Sequence, residues 1–382
     1  MPKVVSLLAL ATALPEHRFS TEELMLVLRP KLSDEMVGMI RNLGVEERYS
    51  ALSNYPSMLC GEPMRTTTSA TEMSVEAARR CLRRWGGDPS EVGLLIAATN
   101  TPSQLLPSLV SEVSAKMHAV LSRTMSTLSM QAQGCAVLLK AIEVAGWYVA
   151  ANRGRKVLII MAESHTPYIP ALVGKRYFGF RELVRMRRAG ETDGRSLERQ
   201  RLETTYVIQA MLFGDGAVAL LFGDEAAEGL ATFSSISHLT NDAPEDVELL
   251  AMEGGSLCPE FEGKPNYLMR ANVPQRGAHY ALRTVRDALA HRGSPVSRLE
   301  QVNHCLIHTG SRKILDGVCA QLEIARDSPR VALSYEILRR YGNLSSASTG
   351  FMLAARNFNP GPALVVSFGV GFSGSAGIVS FN

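Results

Sequence analysis

The sequence predicts an α/β fold made of two related halves, and three observations support this prediction. Apolar runs of strand length, such as 92–98 and 156–161, alternate with segments of helical period such as 136–151. The same order of landmarks occurs twice: a buried strand, a glycine-led helix start, a second buried strand and a glycine-rich hairpin. Hydrophobic residues make up 46% of the chain, which is enough to fill a sizeable core.

The elements follow from local patterns along the chain. The apolar run 4–14 predicts a buried first strand rather than a signal peptide, because Lys3 is the single basic residue before it. Ser20-Thr-Glu-Glu then predicts a helix start, with acidic residues near the positive end of the helix. Further buried strands are predicted at 92–98, 156–161, 217–222, 305–307, 363–368 and 376–381, and helices at 74–85, 136–151, 279–291 and 348–356.

The repeated landmarks divide the chain into a first half, residues 1–225, and a second half, residues 226–382. Cys135 follows the glycine that starts a helix in the first half, and Asn343 holds the equivalent position in the second. Two halves related by a pseudo-twofold axis bring these residues face to face at one site.

Composition and motif spacing argue against several classes of protein. No later segment reaches the ~18 apolar residues that a membrane span needs, so we expect no membrane segment and a cytoplasmic location. The six cysteines are scattered without a CxxC pair or a His cluster, which predicts free thiols and no metal site. A net charge of +3 does not favour nucleic acid as a partner.

The segment 175–203 looks like a basic insertion. It holds nine Lys or Arg residues against five acids, so the rest of the chain is slightly negative. Arg185, Arg187 and Arg188 lie close together in it. Two interpretations stay open: a solvated helix face, or a surface that docks an acidic partner.

Three residues are candidates for catalysis. Cys135 is predicted at a helix amino terminus, where unpaired amides favour a thiolate, although most free cysteines are simply small core residues. His308 follows a strand at its carboxyl end, where ligands bind in open α/β sheets. By itself, Asn343 is typical of a turn or a helix cap. Together with Cys135 and His308 it forms a set that suits acyl transfer and carbanion chemistry. The loop Gly369-Val370-Gly371 could supply a backbone amide for the tetrahedral intermediate.

Five motifs occur in the order found in one known family. They are Gln133-Gly-Cys135, Leu212-Phe-Gly-Asp-Gly-Ala217, Ile307-His-Thr-Gly-Ser-Arg-Lys-Ile-Leu315, Tyr341-Gly-Asn-Leu-Ser-Ser-Ala347 and Phe368-Gly-Val-Gly371. Together they resemble the thiolase superfamily, and within it the branch of ketoacyl-ACP synthase III and chalcone synthase-like type III polyketide synthases. The resemblance covers the chain from Val4 to Phe381.

The resemblance implies a thiolase-type five-layered αβαβα fold, a homodimer, no metal or other cofactor, and acyl-CoA or acyl-carrier-protein thioesters as substrates. Cys135, His308 and Asn343 match the catalytic positions. Phe213 and, less closely, Tyr267 match aromatic gates at the entrance of the active site. Leu106 resembles the loop that reaches into the neighbouring subunit's pocket.

The chain also departs from the family. Plant-type synthases carry basic residues for the CoA phosphates where this chain has Ser33-Asp-Glu35 and Arg41-Asn-Leu43. Glu46 lies where ketoacyl synthase III enzymes tend to have an arginine near the nucleotide. The insertion 175–203 has no counterpart in typical members, and with those missing basic residues it makes an acyl carrier protein a possible partner.

Three functions follow from these residues. The first is a ketosynthase that joins an acyl-Cys135 intermediate to a malonyl or β-ketoacyl thioester by Claisen condensation. The second is an acyltransferase that forms an ester or amide, with His308 as general base. The third is a non-catalytic partner subunit, although such a subunit is expected to lose Cys135 or His308.

Overall fold

A large mixed β-sheet organises the chain in the computed structural model, which describes residues 5–225, 229–252, 267–270, 272–355 and 358–382. The strands described are β1 (Val5–Ala13), β2 (His17–Ser20), β3 (Glu47–Ser50), β4 (Val92–Ala98), β5 (Ser126–Ser129), β6 (Lys156–Glu163), β7 (Gly216–Gly223), β8 (Ala231–Thr240), β9 (Leu250–Met252), β10 (Tyr267–Met269), β11 (His304–Ile307), β12 (Gly361–Gly369) and β13 (Ser373–Phe381).

The helices described are α1 (Thr21–Leu28), α2 (Asp34–Arg41), α3 (Tyr55–Leu59), α4 (Ala70–Trp85), α5 (Leu109–Lys116), α6 (Val137–Ala151), α7 (Phe180–Arg188), α8 (Gly194–Leu212), α9 (Val273–Ala290), α10 (Arg312–Gln321), α11 (Ala332–Tyr341) and α12 (Ser348–Ala355). Helix α1 begins where the sequence predicted a helix start. Ser20 and Glu23 form a capping box there.

The two predicted halves build opposite ends of the large sheet, whose strand order is β11-β12-β13-β8-β1-β7-β6-β4-β5. β4 pairs in parallel with β5 and β6, and β11 pairs in parallel with β12. Antiparallel pairing of β1 with β8, in which Val5 lies opposite Phe233, joins the two groups of strands. The predicted boundary at 225/226 adjoins residues 226–228, which lie outside the described residues, so the division of the chain stays a prediction.

Alternate faces of the strands pack on different helices. One core joins strands of both groups to α6 and α12. The opposite face of β1, β4, β6 and β7 packs on α4 and α5, and the opposite face of β11, β12 and β13 packs on α9 and α10. The result is alternating helix and strand layers with α6 and α12 in the centre, as the predicted α/β fold class requires.

Strands β4, β6 and β7 are buried along their whole length, which explains their continuous apolar sequences. Within the apolar run near the start of the chain, Val5–Ala13 form the buried strand β1, as expected. Among the described helices, none combines the length and apolarity that crossing a bilayer demands. The expected cytoplasmic location stays a prediction.

The basic insertion forms α7 and the first part of α8. Helix α8 is 19 residues long and ends at Leu212, directly before Phe213. The insertion therefore extends a helix whose far end reaches the predicted site.

Candidate active site

The predicted catalytic residues of both halves meet at a narrow pocket of about 50 Å³. Cys135, His308 and Asn343 line it together with Phe213 and two residues of the predicted oxyanion loop, Gly369 and Val370. The other lining residues are Leu212, Leu250, Met269, Val273, Gly310, Ile314, Ser345, Phe368 and Phe372. The pocket thus combines a largely apolar wall with few polar groups, as is common in ligand sites.

A second cavity of about 430 Å³ lies farther along α6. It is lined by Glu143, Trp147 and Arg292 among others, and no predicted site residue lines it. Its greater size does not make it the reaction site, because the nucleophile and the hydrogen-bond donors are all at the smaller pocket.

Two glycines let the oxyanion loop approach the nucleophile closely. A Cβ atom on Gly369 would lie 2.5 Å from the amide nitrogen of Cys135 and 3.2 Å from its Sγ. Gly134 has φ +70° and faces the loop, since a Cβ there would lie 2.6 Å from the amide nitrogen of Val370. The two main-chain segments cross at van der Waals distance, and any side chain would force them apart.

His308 comes directly after β11, and its amide donates to the carbonyl of Val366 at 2.9 Å. The imidazole packs edge-on against Phe368, with ring centroids 6.2 Å apart. Burial lowers the pKa of His308 to about 3, so the ring is neutral at physiological pH. Its Nδ1 has no hydrogen-bond partner among the described residues.

Asn343 is held by main-chain hydrogen bonds to the segment that carries Phe213. The amide of Asn343 donates to the carbonyl of Leu212 at 2.9 Å, and its carbonyl accepts from Gly214 at 3.2 Å. Its side-chain oxygen accepts from the amide of Ser345 at 2.8 Å, which orients the Nδ2 amide. Phe213 itself stacks on His165 with ring centroids 4.3 Å apart.

Ser345 and Asn100 are site residues that the sequence analysis missed. The Ser345 hydroxyl lies 3.3 Å from the sulfur of Cys135. The Nδ2 group of Asn100 donates to that hydroxyl at 3.1 Å, and its Oδ1 accepts from the main-chain amide of Gly134 at 2.9 Å. Asn100 therefore links the segment before Cys135 to the segment after Asn343.

Glu163, at the end of β6, is the buried centre of this network. Its carboxylate accepts from Asn100 Nδ2 at 2.9 Å, from Thr101 Oγ1 at 2.8 Å and from the amide and hydroxyl of Ser346. Burial raises the pKa of Glu163 above its usual range, while these donors lower it. An acid at the carboxyl end of a fully buried strand is the sequence signal that could have identified it.

The environment of Cys135 corrects the expectation of a thiolate. The residue lies one position before Ala136, the N-cap of α6, and only 7% of its surface is exposed. Burial raises the pKa of the Cys135 thiol to about 12, although the hydrogen bond with Ser345 lowers it. Desolvation therefore outweighs the helix terminus, and the raised pKa favours a neutral thiol.

Among the other predicted residues, the pocket lining does not include Leu106 or the three arginines of α7. Leu106 is 84% exposed. Tyr267 begins β10, but its side chain is outside the described residues, and Met269 of the same strand lines the pocket. Arg185, Arg187 and Arg188 are exposed on α7. Across the described ranges, no cluster of three His, Cys, Asp or Glu side chains is placed to hold a metal ion.

The pKa of Cys135 predicts how its reactivity depends on pH. At pH 7 we expect iodoacetamide to modify the exposed Cys60 before Cys135. The rate at Cys135 should rise about tenfold per pH unit from pH 7 to 9, because the thiolate is the reactive form. Peptide mapping by mass spectrometry measures each rate, with the buried Cys81 as a control. A rate at Cys135 that is already constant near neutrality and exceeds that of Cys60 would show a stable thiolate instead.

The chain is similar in sequence to known proteins over most of its length. Residues 297–381 match the family model of the 3-oxoacyl-[acyl-carrier-protein] synthase III C terminal. A β-ketoacyl-[acyl-carrier-protein] synthase III from Rhizorhabdus wittichii is 26% identical over 97% of both chains. An alpha-pyrone synthesis polyketide synthase-like protein, Pks18 of Mycobacterium tuberculosis, is 24% identical over 81% of this chain and 68% of its own length.

Two solved structures share the fold along almost the whole chain. The C-terminal type III polyketide synthase domain of Steely1 from Dictyostelium has a TM-score of 0.75 with 17% identity, covering 99% of both chains. The 3-oxoacyl-[acyl-carrier-protein] synthase III from Aquifex aeolicus has a TM-score of 0.69 with 18% identity, covering 99% of this chain and all of that one. The family resemblance of the motifs is confirmed: the chain has the thiolase fold and is related to ketoacyl-ACP synthase III and to type III polyketide synthases.

Proposed function

We propose that the protein is a ketosynthase that forms a carbon–carbon bond by Claisen condensation. The observation that carries this proposal is the meeting of a cysteine thiol with two neutral hydrogen-bond donors, His308 and Asn343, in one apolar pocket. The relatives named above agree with it, since ketoacyl synthases and polyketide synthases are acyl-transferring condensing enzymes.

The first step loads an acyl group onto Cys135. Because the thiol has a raised pKa and His308 is neutral, the sulfur gives its proton to the imidazole as it attacks the thioester carbonyl. We assign the backbone amides of Cys135 and the loop Gly369–Gly371 as donors to the oxygen of the tetrahedral intermediate, which the close approach of Gly369 to Cys135 supports. The carbon–sulfur bond of the donor then breaks, and its thiol leaves with the proton from His308.

The second step forms the new bond. A malonyl thioester loses its carboxylate as CO₂, or a β-ketoacyl thioester loses its α-proton to water, and the oxygen of the resulting enolate accepts hydrogen bonds from His308 and Asn343. The carbanion attacks the carbonyl of acyl-Cys135, the carbon–sulfur bond to Cys135 breaks, and the released thiolate takes a proton from water. A neutral imidazole suits this role because it donates without adding a positive charge beside the apolar wall.

The arrangement of Asn343 favours condensation over simple acyl transfer to an alcohol or amine. Ester or amide formation needs a nucleophile and a base but no pair of donors for an enolate. Here the side-chain oxygen of Asn343 accepts from the amide of Ser345, and Nδ2 lies 3.5 Å from the carbonyl of Gly310 in the pocket lining, which leaves its second N–H for an enolate.

Replacing Asn343 separates the two steps. We expect Asn343→Ala to load an acyl group on Cys135 at a near-normal rate and to lose condensation by about 10²–10³. Intact-mass kinetics measures loading, and product formation from malonyl-CoA measures condensation. The exposed Asn303→Ala serves as the matched control, with both steps unchanged. Normal condensation by Asn343→Ala would redirect the proposal to acyl transfer.

We also propose that the active protein is a homodimer. All four residues of the edge strand β5 are exposed, and Leu105 and Leu106, between β4 and α5, are 85% and 84% exposed. An open strand edge and exposed leucines are both features that suit pairing with a second copy. Sedimentation velocity should give about twice the mass of one chain, and Leu106→Ser should weaken the association. A wild-type protein that sediments as one chain at micromolar concentration would contradict the proposal.

A further inference from the structure

Helix α7 presents an unusual outward face. Leu183 is its one fully buried side chain, while Phe180 and Val184 are 41% and 40% exposed. Because residues four apart lie on one face of a helix, Phe180 and Val184 are neighbours, and Arg181 and Arg185 lie beside them. The exposed face is therefore an apolar pair bordered by guanidinium groups.

The excess positive charge of the insertion is concentrated on this helix. On α8 two arginines pair with acids of the same helix: Arg201 with Glu198 at 3.0 Å and Arg199 with Glu203 at 3.2 Å. Within the described ranges, Arg181, Arg187 and Arg188 of α7 form no ion pair. Arg185 lies 3.8 Å from Glu35, and its side chain remains 73% exposed.

Helix α7 is fixed to the body of the protein by its first turn. The carboxylate of Glu35 in α2 accepts from the amides of Arg181 at 2.9 Å and Glu182 at 2.8 Å. The hydroxyl of Ser33 donates to the carboxylate of Glu182. Ser33 and Glu35 belong to the stretch where related plant synthases carry basic residues for CoA. In this chain the stretch anchors α7, so the exposed face of α7 has a defined position.

The insertion also leads directly to the pocket. Thr204 of α8 donates to the carbonyl of Phe178, just before α7, at 2.8 Å. From Thr204 the helix continues for nine residues, about 14 Å at 1.5 Å per residue, to Phe213 in the pocket lining. Helix α8 thus connects the segment just before α7 to the pocket lining over a length that a long flexible arm can span.

We propose that the exposed face of α7 docks an acyl carrier protein, which delivers its thioester to Cys135. The inference rests on the proposed ketosynthase function and names the partner of that site. Acyl carrier proteins are acidic, and their phosphopantetheine arm carries the acyl group into a tunnel. Arg185, Arg187 and Arg188 would pair with the acidic surface, and Phe180 and Val184 would fill the apolar centre of the contact.

The exposed face of α7 suits a protein partner better than a membrane surface. Helix α7 has nine residues and exposes two apolar side chains, which is a small apolar area for a helix that lies in a bilayer interface. Complementary charge at a small, anchored patch instead favours steering of one acidic partner.

The first test measures binding without turnover. It uses the Cys135→Ala protein and the hexanoyl form of the acyl carrier protein from the same organism's fatty-acid synthesis, titrated by fluorescence anisotropy at low and high salt. We expect Arg185→Glu, Arg187→Glu and Arg188→Glu together to weaken binding at least tenfold and to reduce its salt dependence. The matched control reverses three other exposed arginines, Arg79, Arg286 and Arg326, and should change binding less than twofold.

The second variant tests the apolar pair. Phe180→Ser with Val184→Ser should weaken carrier binding severalfold and leave its salt dependence unchanged, since no charge is altered. Vesicles with anionic phosphatidylglycerol give the competing outcome. Strong binding of wild-type protein to these vesicles that the triple reversal abolishes, with carrier binding unaffected, would overturn the proposal.

Kinetics with the intact nucleophile distinguish docking from chemistry. We expect the triple reversal to lower kcat/KM for hexanoyl carrier protein tenfold or more and to leave kcat/KM for hexanoyl-CoA unchanged. Equal losses for both donors, or none, would overturn docking at α7. Absence of turnover with either donor, alongside intact and charge-dependent carrier binding, would instead count against the ketosynthase function and leave the docking surface standing.

Discussion

The buried carboxylate of Glu163 is the interaction on which the arrangement of the site depends. It lies at the end of β6 and accepts hydrogen bonds from Asn100, Thr101 and Ser346. A buried carboxylate is tolerated only when such donors replace its lost hydration. Through the side chain of Asn100 the same network holds the amide of Gly134 and the hydroxyl of Ser345. It therefore positions the residue before Cys135 and the hydroxyl that contacts the Cys135 sulfur.

Burial also determines the protonation states at the site. It raises the pKa of Cys135 to about 12 and lowers that of His308 to about 3, so the uncharged pair is the resting form. An ion pair of thiolate and imidazolium would carry two charges in an apolar pocket, where desolvation is costly. Proton transfer coupled to attack on the thioester avoids this cost. A neutral imidazole also donates to an enolate once its proton is on the nitrogen that faces the pocket.

Much of the fold could be predicted because its strands and helices have strong local patterns. The continuous apolar runs of β4 and β6 and the periodic helix α6 appear in the structure close to their predicted bounds. The meeting of Cys135 with Asn343 followed from the repeated landmarks, and the pocket has both. The joining of the two strand groups through β1 and β8 had no local signal, because it depends on long-range pairing.

The polar network was not predictable in the same way. Asn100 and Ser345 are far apart in sequence and unremarkable in their own segments, and the signal at Glu163, an acid at the end of a buried strand, does not show which residues it will contact. Their roles arise when the two halves pack and bury them together. The thiolate prediction for Cys135 was wrong for the same reason. It used the local effect of the helix terminus, whereas the pKa depends on desolvation by the whole pocket.

The central claim is that the acyl group enters the reaction on the sulfur of Cys135. The most direct measurement is mass spectrometry of the protein after incubation with hexanoyl-CoA, followed by peptide mapping of the adduct. Our account predicts one hexanoyl group per chain, located on the peptide that contains Cys135 and lost in Cys135→Ala. An adduct on the exposed Cys60, or a mass that stays unchanged while product forms, would contradict it.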